Sequence, residues 1–147
     1  MEFEYVKTEL GQLHIATAGQ GDPIILLHQT PRSWDEYREL IPLLAVEHRV
    51  IAMDMYGFGQ SAKFAAPQTI EKYASGVIAL ADAMGLASFN LLGHHTGGLV
   101  AFAVALLLTR VVTVYFSKTF NGRAIKAVGQ DESALRLMGA NPVKIKQ

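Results

Sequence analysis

The chain has 147 residues, 50% of them hydrophobic and 18% charged, with thirteen basic and thirteen acidic groups, which suits one modest globular domain with its own core. It contains no cysteine, so disulfides, thiol catalysis and cysteine-ligated metals are excluded, and no basic stripe interleaved with aromatics marks a nucleic-acid face. Charge is nonetheless uneven: residues 1–116 carry seven Lys/Arg against eleven Asp/Glu, whereas residues 117–147 carry six against two, as if the two parts faced different surroundings.

The N-terminus, Met1 to Tyr5, lacks the basic-then-apolar pattern of a signal peptide, and a cytoplasmic location is expected. Residues 3–18 alternate weakly, with a turn expected at Leu10-Gly11-Gln12-Leu13 between two antiparallel strands. Gly19 to Pro23 reads as a loop. Pro23 to Leu27 is a continuous apolar run of the kind buried on both faces of a parallel sheet, and it ends at His28-Gln29-Thr30-Pro31. Ser33 with Glu36 three residues on predicts a capping box, opening a helix whose apolar positions are Trp34, Tyr37, Leu40, Ile41 and Leu44.

Arg49 to Met53 is a second buried strand, closed by the glycine-rich Asp54-Met55-Tyr56-Gly57-Phe58-Gly59-Gln60-Ser61, in which Asp54 and Ser61 are expected to stabilise their own turn. Thr69 is placed to cap a helix whose inner face is Tyr73, Val77, Leu80, Ala81 and Met84, stopped by Gly85. Phe89 to Gly98 then reads Phe-Asn-Leu-Leu-Gly-His-His-Thr-Gly-Gly: a short strand, a sharp polar turn and a helix that glycines allow to pack close. The spacing is that of a nucleophile elbow, Gly-x-nucleophile-x-Gly, with His95 at the nucleophile position. Gly97 to Phe116 is nearly all apolar. Its length approaches the ~20 residues of a membrane span, which Arg110 makes a poor one.

Strand and helix alternate, which predicts an α/β fold: a mostly parallel sheet with helices on both faces. Ligands of such sheets sit at the carboxyl ends of the strands, where His28, Asp54 and His95 all fall. His28 and His94 read as hydrogen-bonded structural histidines. A metal is not expected, because two of the three rim histidines are adjacent and the i, i+4 ligand spacing is missing.

Three motifs taken together, His28-Gln29-Thr30-Pro31, Asp54-x-x-Gly57-x-Gly59-x-Ser61 and Gly93-His94-His95-Thr96-Gly97, resemble the first half of an α/β-hydrolase over about residues 1–105. The resemblance implies an oxyanion hole made by the backbone N–H groups of Thr30 and Thr96, a small ester or related acyl substrate, and no cofactor. The chain departs from the family pattern at Gln29, where glycine is usual, and at His95, where serine is usual. The family takes its acid and base from beyond the elbow, and His95 is the last histidine here. Weak or absent hydrolysis is therefore expected, with two routes open to His95: nucleophile through an acyl-imidazole, or general base on water.

The tail, Ser117 to Val128 leading into Asp131 to Pro142, is similar to the cytoplasmic loop of a branched-chain amino acid ABC transporter permease, through Gly122-Arg123-Ala124-Ile125-Lys126-Ala127 and Ala134-Leu135-Arg136-Leu137-Met138-Gly139-Ala140-Asn141. That resemblance divides the chain into 1–105 and a helical tail, 106–147. It implies contact with a transporter ATPase and an inner-membrane alternative through residues 97–116. Thr109 to Phe116 can be read as the helix-to-strand return of a hydrolase or as the end of a permease helix.

Overall fold

A computed structural model describes residues 1–119. The chain divides into one compact unit, Met1–Ala105, and a second, Leu106–Gln147. The expected permease-like loop lies outside the described residues from Phe120 onward.

Two strands form the N-terminal hairpin: β1 (Glu2–Thr8) and β2 (Gly11–Ala18), antiparallel, with Thr8 opposite Gly11. The turn is at Glu9-Leu10, slightly earlier than the composition suggested. Gly11 leaves it at φ +134°, where a side chain is strained. β3 (Asp22–Leu27) and β4 (His48–Met53) pair in parallel, β5 (Asn90–Gly93) adds in parallel to β3, and β2 joins antiparallel to β4. The sheet order is β1-β2-β4-β3-β5.

Because side chains alternate across a strand, each central strand buries two sets. Ala16, Leu26, Val50 and Ala52 pack with Tyr37 and Ile41 on one face, with Trp34, Leu40 and Leu44 against them. Leu13, Ile15, Ile25, Leu27, Ile51 and Met53 have the opposite parity and are fully covered. The buried stripe of α2 (Ile70–Ala83) is Ala74, Gly76, Val77, Leu80 and Ala81, with the expected Tyr73 and Met84 half-buried at its margins. Thr69 caps this helix, its Oγ1 accepting from the Lys72 N–H at 3.3 Å, and Gly85 ends it at φ +65°.

The segment after Ser33 departs from expectation. It is a single 3-10 turn, Trp34–Tyr37, followed by a short α1 (Ile41–Leu44). Pro42 has no N–H to give and its ring crowds the carbonyl four residues back, so one continuous helix cannot run through it. Ser33 Oγ accepts from Asp35 N–H, while the Glu36 side chain turns away from the cap altogether.

α3 (Thr96–Lys118) resolves the ambiguity over Val111 to Phe116: these residues are helical. No glycine or proline lies between Gly98 and Lys118 to stop a helix once it has started. Among the described residues β5 is therefore an edge strand with β3 as its neighbour, a feature that invites further pairing. By length and composition α3 is apolar enough to cross a membrane, a test that the core helix of a soluble protein also passes. Leu99, Phe102 and Val111 are among its exposed residues.

Candidate functional site

The carboxyl ends of β3, β4 and β5 meet at one rim, and a buried polar network underlies it. His28, fully buried at the end of β3, accepts the Met55 N–H on Nε2 at 3.0 Å. An acceptor nitrogen carries no proton, so Nδ1 holds the hydrogen and donates to the Gln29 carbonyl at 2.8 Å. Asp54 spends both carboxylate oxygens on neighbouring loops: Oδ1 accepts Trp34 N–H at 2.7 Å, and Oδ2 accepts Gln60 N–H and His14 Nδ1–H, each at 2.9 Å. Ser61 Oγ donates to the Asp54 carbonyl at 2.6 Å and accepts from His14 N–H at 2.9 Å. A side chain on Gly59 would have its Cβ 1.9 Å from Asp54 Oδ2, which explains glycine there. Asp54 and Ser61 thus hold the glycine-rich turn, as their sequence context suggested.

Burial is the largest influence on His28 and holds its imidazole below the ordinary value of 6.5, against the raising effects of the Gln29 carbonyl, Asp54 and Glu36. Below that value the unfolded chain binds more protons than the folded one, so stability is complete above pH 6.5 and is lost as pH falls. Urea midpoints measured at about pH 7.5 and about pH 5 are expected to be lower at the acid end, with a smaller difference in His28→Gln. An unchanged difference in the variant would assign the acid sensitivity to other groups.

Above this network stands the elbow. A Cβ on Gly93 would lie 2.3 Å from the Gly97 backbone, and one on Gly97 would lie 1.9 Å from the Leu27 carbonyl oxygen. The three backbones touch, and glycine is what permits it. His95 sits at the apex with φ +50°, the non-glycine residue with positive φ among those described. Such a conformation is tolerated when the surroundings over-determine it, and it commonly marks a functional turn. His95 is exposed, and its Nδ1 lies 3.2 Å from Thr96 Oγ1.

Thr30 and Thr96, 66 positions apart in sequence, are brought together, with 3.0 Å between their hydroxyl oxygens. Thr96 opens α3, where the first N–H groups of a helix have no intrahelical partner. Among the described residues no protein acceptor takes the N–H of either threonine. The Thr30–Pro31 peptide is cis, and Arg32 N–H closes this turn on the Gln29 carbonyl at 2.8 Å.

His94 is hydrogen-bonded at a strand end, as expected, just after β5. Its backbone N–H does hold the strand end, donating to the Leu27 carbonyl at 3.1 Å, but its side chain is 62% exposed, with Nδ1 paired to Glu36. The Glu36 side chain is 12% exposed, and its other oxygen accepts the Gln29 N–H at 2.7 Å. The Ser33–Glu36 spacing predicts a cap for Glu36. Nothing local distinguishes the two uses, because both partners lie in the loops that follow β3 and β5.

A mixed sheet whose edge strand turns through a positive-φ residue into a close-packed helix defines a nucleophile-elbow scaffold. The alpha/beta hydrolase fold family matches residues 22–117, and the chain belongs to it. It is 40% identical over 94 residues to the soluble epoxide hydrolase of Corynebacterium sp. (strain C12), covering 64% of this chain and 33% of that protein. It is 31% identical over 138 residues to bifunctional epoxide hydrolase 2 of Sus scrofa, covering 90% of this chain and 24% of that one. Among solved structures, epoxide hydrolase VrEH1 from Vigna radiata superposes with a TM-score of 0.70 at 26% identity, over 74% of this chain and 36% of that chain. The chain thus spans a third or less of the length of these two curated relatives.

Proposed function

We propose that the chain carries a hydrolase site at the elbow, acting on a small ester or related acyl substrate, with His95 as the reacting group and the Thr30 and Thr96 N–H groups as the oxyanion donors. The observation that carries this reading is the apex geometry: an exposed imidazole at φ +50° beside two hydroxyl-linked threonines whose N–H groups have no protein acceptor among the described residues. With Nδ1–H donated to Thr96 Oγ1, Nε2 of His95 presents its lone pair to the substrate. Attack on the acyl carbon forms an N–C bond, and the carbonyl electron pair moves to an oxygen held by the two N–H groups. Collapse breaks the C–O bond and expels the alkoxide, which takes up through solvent the Nδ1 proton that acylation makes acidic; water then cleaves the neutral acyl-imidazole, releasing the acid and restoring the ring proton. In the general-base variant, Nε2 takes a proton from water as its oxygen attacks the same carbon, and on collapse the C–O bond to the alkoxide breaks and the imidazolium returns the proton to it.

The relatives named epoxide hydrolases favour a second substrate class, since ring opening of an epoxide likewise develops negative charge on oxygen. A transporter-docking role rests on the sequence of the tail alone. The test is hydrolysis of p-nitrophenyl acetate and of a small aryl epoxide by the full chain, against the same concentration of free imidazole. Saturable ester turnover above imidazole is expected. An ester rate equal to that of imidazole overturns the acyl reading, and turnover of the epoxide alone transfers the site to the second class.

A further inference from the structure

We infer that Glu36 is a positioning residue: its carboxylate clamps together the two backbone segments that carry the oxyanion donors. This rests on the acyl-hydrolase reading of the elbow. One carboxylate oxygen accepts the Gln29 N–H, the residue before Thr30, at 2.7 Å, and the other pairs with His94 Nδ1, two residues before Thr96. The clamp is built into the protein, since Glu36 is mostly buried on the 3-10 turn that Ser33 caps.

The segment from Gln29 to Arg32 leaves the sheet at the end of β3. Its side-chain ties to the elbow among the described residues are this carboxylate and the Thr30–Thr96 hydroxyl contact. Neither tie is redundant. The hydroxyl pair sets the spacing at the threonines themselves, whereas the carboxylate holds the chain on both sides before it reaches them. Oxyanion donors must be held within about 0.5 Å to be useful, and a misplacement of about 1 Å can lower the rate by about 100-fold.

The carboxylate also decides the state of His94. A carboxylate at Glu36 only accepts, so the hydrogen of this pair sits on His94 Nδ1, and Nε2 has no partner among the described residues. Glutamine at this position has one acceptor and one donor. If its oxygen keeps the Gln29 N–H, its amide group faces Nδ1 and drives the proton to Nε2. A residue that merely filled space would have no such effect on the tautomer.

The experiment combines ester kinetics with NMR on the full chain, comparing wild type, Glu36→Gln and Glu36→Ala. For Glu36→Ala, kcat is expected to fall about 10- to 100-fold with KM within about twofold, and the Thr30 and Thr96 amide resonances to shift. For Glu36→Gln, the ring 15N shifts of His94 are expected to report transfer of the proton from Nδ1 to Nε2. Unmoved threonine amides and wild-type kcat in Glu36→Ala overturn the clamp. Should Glu36→Ala not fold, an unchanged His94 tautomer in Glu36→Gln overturns it instead. If wild type turns over no ester, the acyl-hydrolase reading fails by itself, and the amide and ring shifts still decide whether Glu36 clamps the two segments.

Discussion

His95→Ala is expected to lower ester kcat by about 100-fold or more, to the level of a chain that offers only oxyanion donors and binding. The size follows from the chemistry: without Nε2 neither the acyl-imidazole nor general-base activation of water is available. The fold should survive, because His95 is exposed and alanine keeps the Cβ, so the positive-φ apex bears the same backbone strain. A melting curve close to wild type would therefore accompany the loss. His95→Ser restores the elbow hydroxyl but not the rate, since a serine needs a base within hydrogen-bond reach. Neither neighbouring imidazole supplies one: His28 is buried with both ring nitrogens bonded, and among the described residues no contact joins the His94 ring, held by Glu36, to the side chain at position 95. Activity unaltered in both variants would remove His95 from the mechanism.

Gly97→Ala is expected to cost about 3 kcal/mol, the upper end of the overpacking range. The added methyl would stand 1.9 Å from the Leu27 carbonyl oxygen and 3.0 Å from that of His28. Both obstacles are backbone, so no side-chain rotation relieves them. The Leu27 oxygen is further pinned by Tyr37 OH at 2.7 Å and by His94 N–H at 3.1 Å. Relief requires moving α3 away from β3, which separates Thr96 from Thr30. Gly98→Ala is the control, because its Cβ would meet the Gly93 oxygen only at 3.4 Å. Urea unfolding of the pair should separate them clearly. Equal stability of Gly97→Ala and Gly98→Ala would mean that the elbow backbones can part without loss.

Much of the fold was legible because its signals are short-range. The apolar runs into Leu27 and Met53 announce strands covered on both sides, and the Thr69 cap and Gly85 stop bracket α2. The glycines around His94-His95-Thr96 mark a close approach of strand and helix whatever surrounds them. The segment from Trp34 to Leu44 was less legible: its apolar spacing suits one helix, yet Pro42 divides it. Val111 to Phe116 carries β-branched residues that suit a strand, but it continues a helix already nucleated at Thr96, where extension costs little.

By itself the sequence determined the alternation of strands and helices, the elbow with His95 at its apex, and the glycines without which the elbow cannot close. Each depends on backbone geometry or periodicity within about ten residues. Only the tertiary structure decided that Thr30 meets Thr96, that Glu36 leaves its cap to join Gln29 and His94, and that Asp54 is spent on three neighbours. These are contacts between loops at the ends of different strands, and which side chains meet there is set by sheet order, a property that no single segment encodes.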